Sequence, residues 1–194
     1  MKKRCLSGLM LALFLFCGGA AQAFESPLKT DTPEYATLRK MGERYQLMAE
    51  KFGCAKFAWA TFVAGGKIAD LEYVPEETAK MDDWKRLMTV TVYSLSGKAE
   101  TDRALMTGIL SGVMGQYEKA QANIIKAEYF HTDNGEPGLF VRYDVGAGDA
   151  REHNAGVFMR ASATSAAFIQ IQSRGQELAD ADAEQVRALI RSKK

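Results

Sequence analysis

Leu87-Met88-Thr89-Val90-Thr91-Val92-Tyr93-Ser94-Leu95 alternates Met88, Val90 and Val92 with Thr89, Thr91 and Tyr93. Successive side chains of an extended chain point to opposite faces, so a two-residue period of this length predicts a strand with two different faces. Upstream, Pro75 to Arg86 is charged and loop-like. There Asp82-Asp83 precedes Trp84, whose ring is expected to pin a short helical turn to the body. Before that loop, Phe57 to Val63 and Ile68 to Val74 are rich in aromatic and β-favouring residues and flank the turn sequence Ala64-Gly65-Gly66-Lys67. They read as a hairpin stopped by Pro75. Further back, Thr32 supplies an N-cap and Pro33 a favourable first helical residue. Leu38, Met41, Tyr45, Met48 and Phe52 then recur at steps of three and four, which predicts an amphipathic helix ending near Gly53.

Downstream of Ser96-Gly97 the pattern predicts a helix from about Glu100 to Ala120, with Leu105, Ile109, Val113 and Tyr117 as its apolar line. It carries Gly108, Gly112 and Gly115 together with Ser111. An interior glycine costs up to about 1 kcal/mol relative to alanine. Close packing of the helix backbone onto a sheet would offset that cost, and a ligand groove is the alternative reason for it. Asp102, Arg103 and Glu118 exclude a membrane-spanning Gly-x-x-x-Gly helix. Ile124 to His131 and Leu139 to Val145 then flank Asp133-Asn134-Gly135, while Gly156 to Ala161 and Ala167 to Ser173 flank Ser162 to Ser165. These are two consecutive hairpins. Asp180 or Asp182 can cap a last helix carrying Val186, Leu189 and Ile190 and closed by basic residues. The order helix, hairpin, strand, helix, two hairpins, helix predicts an α+β domain: an antiparallel sheet of about seven strands with helices packed on it.

The N-terminus has a separate meaning. Lys2, Lys3 and Arg4 precede an apolar run from Leu9 to Phe16, and Ala21-Gln22-Ala23 stands before Phe24. This is the pattern of a cleaved secretory signal. The apolar run is shorter than the roughly 20 residues of a membrane span, and Cys17 follows the bulky Phe16, unlike an acylated lipoprotein cysteine. The expected organisation is therefore a signal peptide (1–23), an extended arm (24–32) and a single α+β domain (33–194), with a periplasmic location. Removing the signal leaves 171 residues, enough for one well-buried core, and a net charge of −2 in place of +1. That balance suggests neither a nucleic-acid partner nor an anionic lipid surface. Of three cysteines only Cys54 remains, so the mature chain forms no internal disulfide; a buried, inert thiol is expected over a reactive one.

Motifs for catalysis and cofactors are sparse. His131 and His153 stand near the ends of different predicted strands without His-x-x-x-His or paired cysteines, so no metal and no cofactor is expected. His153 beside Glu152 reads as a solvated loop histidine rather than a surface acid/base pair. There is no Gly-x-Ser-x-Gly elbow. Gly65-Gly66-Lys67 and Ser96-Gly97-Lys98 lack the first glycine and the Ser/Thr of a phosphate loop, and Gly146-Ala147-Gly148 lacks the third glycine of a dinucleotide loop, with Arg151 in its place. Strand parity gives a more specific candidate. With Leu139, Val141, Tyr143 and Val145 facing the core, Phe140, Arg142 and Asp144 face the other way; Phe158 and Arg160 share a face, as do Phe168, Gln170 and Gln172. If these faces align, Arg142 and Arg160 lie at the centre of a polar, aromatic-edged surface suited to a carboxylate or an acidic patch. A solvated sheet face is the competing reading.

The sequence resembles the PsbP-like α/β/α sandwich, the fold of the extrinsic photosystem II protein and of envelope proteins of the DcrB kind. The resemblance rests on Glu72-Tyr73-Val74-Pro75, on Asp83-Trp84 leading into Leu87-Met88-Thr89-Val90-Thr91-Val92, on the long helix that follows, and on Phe168-Ile169-Gln170-Ile171-Gln172 before the final helix. The helix from Pro33 to Gly53 is extra to it. The resemblance implies a non-catalytic binding, assembly or chaperone-like module. The expectation is a soluble periplasmic binding or assembly-accessory protein that contacts another envelope protein without stable membrane insertion, using Arg142, Asp144, Arg160, Gln170 and Gln172. An inhibitor or immunity protein against a periplasmic toxin is one alternative. An enzyme with a dispersed site around Arg142, Asp144 and His153 is the other.

Overall fold

The computed structural model describes residues 33–63, 67–79, 83–132 and 135–190. The signal segment, the arm with Thr32, turn residues 64–66, Asp82, Asp133-Asn134 and the basic end 191–194 lie outside the described residues. Helix α1 (Pro33–Lys51) is followed by β1 (Lys56–Val63), β2 (Ile68–Val74) and β3 (Arg86–Ser94). Next come helix α2 (Ala99–Lys119), the strands β4 (Asn123–His131), β5 (Pro137–Val145), β6 (Glu152–Ser162) and β7 (Ser165–Arg174), and helix α3 (Asp180–Ala188).

The seven strands among the described residues pair antiparallel in the order β1-β2-β3-β7-β6-β5-β4. The first three form a meander. Helix α2 carries the chain to the far edge, and the last four strands return inward until β7 meets β3. The α+β expectation holds, and both sheet faces are covered. Leu38, Ala49 and Phe52 in and just after α1, and Ala183 and Val186 of α3, pack with Leu71, Tyr73, Met88, Val90 and Ile169. On the opposite face Met106, Leu110, Val113 and Tyr117 of α2 pack with Leu139, Val141, Tyr143, Phe158 and Phe168.

Local chemistry explains the joints. The Tyr73 hydroxyl donates to the Gly42 carbonyl at 2.7 Å, and a Cβ on Gly42 would stand 3.0 Å from the Phe57 ring. The missing side chain lets α1 approach the β1–β2 hairpin. Trp84 is buried with Ala58, Val74 and Leu87, and the Arg174 guanidinium lies 3.9 Å from its ring centre. It thus pins the loop before β3 to the body, as its sequence position suggests. Gly53, at φ +70°, follows α1 where the apolar period stops. Cys54 is fully buried and its thiol is pushed up to about 11, first by burial, so it is an inert core residue.

Three sequence expectations change. Val113 and Tyr117 of α2 face inward as expected, but in the first half of the helix Met106 and Leu110 are the buried residues, with Leu105 43% exposed and Ile109 half-buried beside them. Gly108, Gly112 and Gly115 do not press the helix against the sheet: a Cβ at each would meet nothing within 4 Å. Helix α3 has Ala179 at its N-cap with no side-chain cap bond; Asp180 and Asp182 instead pair with Arg142 and Arg86.

Candidate functional site

Residues opposite one another in a sheet share a face. Pairing therefore aligns Glu72 of β2, Thr89 of β3, Gln170 of β7 and Gly156 of β6 in one row across the sheet. Asp70, Thr91, Phe168 and Phe158 form the next row, and Gln172, Asn154 and Tyr143 a third. Phe158, Phe168 and Tyr143 pack with α2, so all three rows lie on the α2 face. None of the eight polar side chains in them is more than 9% exposed. A buried sheet face would ordinarily be apolar, because each buried polar group left without a partner costs roughly 1–3 kcal/mol.

Some of this cost is offset within the rows. Gln172 donates to the Thr89 hydroxyl at 2.8 Å, and the Tyr143 hydroxyl donates to Gln170 Oε1 at 2.7 Å. The second bond passes over β6 at Gly156, where a Cβ would come within 2.8 Å of both Gln170 and Phe168. The glycine is what lets a tyrosine of β5 reach a glutamine of β7. Other groups are left over: Asp70 Oδ1, Asn154 Oδ1, Gln170 Nε2 and Gln172 Oε1 have no hydrogen-bond partner among the described residues.

The two acids sit two residues apart on one face of β2. Burial pushes the Asp70 carboxyl up to about 6, opposed by a hydrogen bond from Thr91. Burial, and then the charge of Asp70, push Glu72 up to about 8. At neutral pH Glu72 is thus a protonated donor beside an acceptor. Together with the two glutamine amides and two threonine hydroxyls, the rows present both donors and acceptors at low net charge.

The arginine-centred surface expected from parity is not formed. Leu139 pairs with Phe158, Tyr143 with Asn154 and Asp144 with His153, so odd residues of β5 share a face with even residues of β6. Arg160, Gln170 and Gln172 lie on the α2 face; Arg142 and Asp144 lie on the α1/α3 face. Arg142 pairs with Asp180 and donates to the Leu178 carbonyl at 3.1 Å, which ties β5 to the start of α3. Arg160 pairs with Glu136 and, at 3.2 Å, with Asp102. Burial opposes the charge of Asp102, but hydrogen bonds from Ser96 and the Arg160 guanidinium outweigh it and hold its carboxyl below the ordinary value. Both arginines are engaged as clamps.

His153 is not a solvated loop residue. It lies in β6 with its side chain 13% exposed, and its Nδ1 is 2.9 Å from Asp144 Oδ1. Its neighbour Glu152 pairs with Arg174 at 3.0 Å. Among the described residues, no three His, Cys, Asp or Glu side chains are grouped to hold a metal ion, and no helix is long and apolar enough to cross a membrane.

Asp70, Glu72, Thr89 and Thr91 were missed as site residues by sequence reasoning. The signal that finds them is polar parity shared by strands that become neighbours: acids at 70 and 72, threonines at 89 and 91, glutamines at 170 and 172. Compared with known proteins, the chain matches no family model and no curated sequence.

Proposed function

We propose that this is a soluble periplasmic binding protein without catalytic function, and that its α2 face holds a small hydrogen-bonding ligand that is not an anion. The observation that carries the proposal is the set of four buried polar atoms on Asp70, Asn154, Gln170 and Gln172 that lack partners among the described residues. A ligand with matched donors and acceptors supplies those partners. An anionic ligand is disfavoured, because Asp70, raised only to about 6, is ionised at neutral pH while Glu72 is protonated. The face is too buried to meet the flat surface of another folded protein, which favours a small ligand over the assembly and inhibitor readings. The periplasmic setting rests on the basic, apolar and Ala-x-Ala pattern of residues 1–23. The non-catalytic reading follows the PsbP-like resemblance.

Native mass spectrometry of exported protein, purified without denaturation, tests this. The wild type should carry a small-molecule adduct that Gln170→Leu and Gln172→Leu lack. Each variant also leaves a buried hydroxyl without its partner, that of Tyr143 in Gln170→Leu and that of Thr89 in Gln172→Leu, so both should be less stable to urea than wild type whether or not a ligand is bound. Adduct-free wild type would show that buried water satisfies these groups and that the rows are structural.

A further inference from the structure

Strand β4 is one edge of the sheet, and no described strand pairs with its outer side. From Asn123 to His131 it is almost wholly exposed, with Ile125 at 52% and Tyr129 at 60%. A long edge strand with exposed apolar side chains is a template for another strand. We propose that β4 pairs antiparallel with β4 of a second copy about a two-fold axis at Ala127, which joins the two sheets into one of fourteen strands.

The sequence of the strand selects both this occupant and this register. A two-fold axis perpendicular to the sheet keeps every residue on its own face, so the centre of the pairing must fall on a residue. Centred on Ala127, Lys126 of each copy stands opposite Glu128 of the other, inside the bulge that interrupts the regular register between Ile124 and Lys126. The pairing thus contains two opposite-charge pairs, with the small Ala127 meeting its own copy on the axis. Moving the centre to Lys126 or to Glu128 sets like charges face to face, which destabilises a sheet pair.

Other contacts fit this arrangement. Within one chain, Glu128 accepts from Arg187 at 2.8 Å and from Lys126 at 2.8 Å. These bonds hold the carboxylate at the edge, on the α1/α3 face, where Lys126 of the second copy arrives. Lys126 and the bulge between Ile124 and Lys126 are devices that discourage indiscriminate edge pairing. The Ala127-centred register answers the lysine with an acid, so those devices serve specificity for self.

Charge reversal and cross-linking test the inference. Lys126→Glu alone sets acids against Glu128, and Glu128→Lys alone sets lysines against Lys126. By sedimentation equilibrium each variant should dimerise about tenfold more weakly than wild type, the scale of two reversed cross-strand pairs. An equimolar mixture of the two variants restores both pairs and should dimerise like wild type. That recovery also shows that neither variant has simply misfolded. Separately, Ala127→Cys should oxidise to a disulfide-linked dimer, because opposed residues on an antiparallel pair fall within disulfide reach; the buried Cys54 stays silent. The inference is overturned by a wild type that is monomeric at high micromolar concentration, by single variants that dimerise as tightly as wild type, or by failure of the mixture to recover.

Discussion

At the residue scale, Glu72 is the side chain whose environment departs furthest from its solution chemistry in a way that can be read out. Its folded pKa of about 8 stands above the ordinary 4.5, chiefly through burial. Between these values the folded chain binds more protons than the unfolded chain, so stability falls as pH rises. The loss begins near pH 4.5 and is complete above about pH 8. Asp70, raised to about 6, adds a loss of the same sign at the acid end of that window. Urea denaturation at pH 5, 6.5 and 8 should show wild type losing on the order of a few kcal/mol across the range. Glu72→Gln, neutral at every pH, should flatten the upper part of the profile. Equal slopes for the two proteins between pH 6.5 and 8 would mean that Glu72 is solvated in solution. Asp102 and Glu128 have lowered pKa values, so their contribution is present above the ordinary carboxylate range and lost on acidification.

At the element scale, α2 and the β5–β6 pair show what the sequence does and does not reveal. Helix α2 lies within a residue of the expected bounds, because its apolar period and the Ser96-Gly97 break are local signals. Its inward face matches expectation at Val113 and Tyr117 and departs from it only in the first half, since Leu105 and Met106 both satisfy a helical period and only the sheet beneath decides between them. The β5 and β6 strands were legible too, but not which of their faces coincide. That depends on the connection between Val145 and Glu152, six residues containing a short 3-10 turn with Gly146 and Gly148 at positive φ. An odd number there would have aligned Arg142 with Arg160; an even number separates them. The buried polar rows have the same origin, for β7 must pair in register with the sequence-distant β2–β3 meander before their polar parity means anything. The helix glycines offer the element-scale prediction. Gly108 and Gly112 are exposed, with open space where a Cβ would stand. Gly108→Ala and Gly112→Ala should each stabilise the protein by about 0.5–1 kcal/mol through the lost backbone entropy of the unfolded chain. A loss of stability in thermal unfolding would point to a packed helix backbone instead.

At the scale of the whole molecule, the sheet is two meanders sewn together along β3 and β7. Nine residue pairs, from Arg86 with Ser173 to Ser94 with Ser165, close that seam. Its long sequence separation makes it entropically costly to form and late to reward folding. Once formed, both strands are central, buried on both faces and flanked by paired strands, so their amides open only when the molecule unfolds globally. β4 is the opposite case: an edge strand bonded on one side and exposed along most of its length. In dilute solution, hydrogen exchange should therefore be slowest at Val90 and Ile169, limited by global unfolding, and fastest among the strands in β4. Raising the concentration into the dimer range should slow exchange at the outward-facing amides of β4 while leaving Val90 and Ile169 unchanged. The Lys126→Glu protein should show little of that concentration dependence. If β4 exchanged at one rate across the concentration series in wild type, the edge would be open at all concentrations and the sheet would end at seven strands. A concentration effect spread evenly over the whole sheet would instead mean that association stabilises the fold globally, with the meander seam and the edge behaving as one cooperative unit.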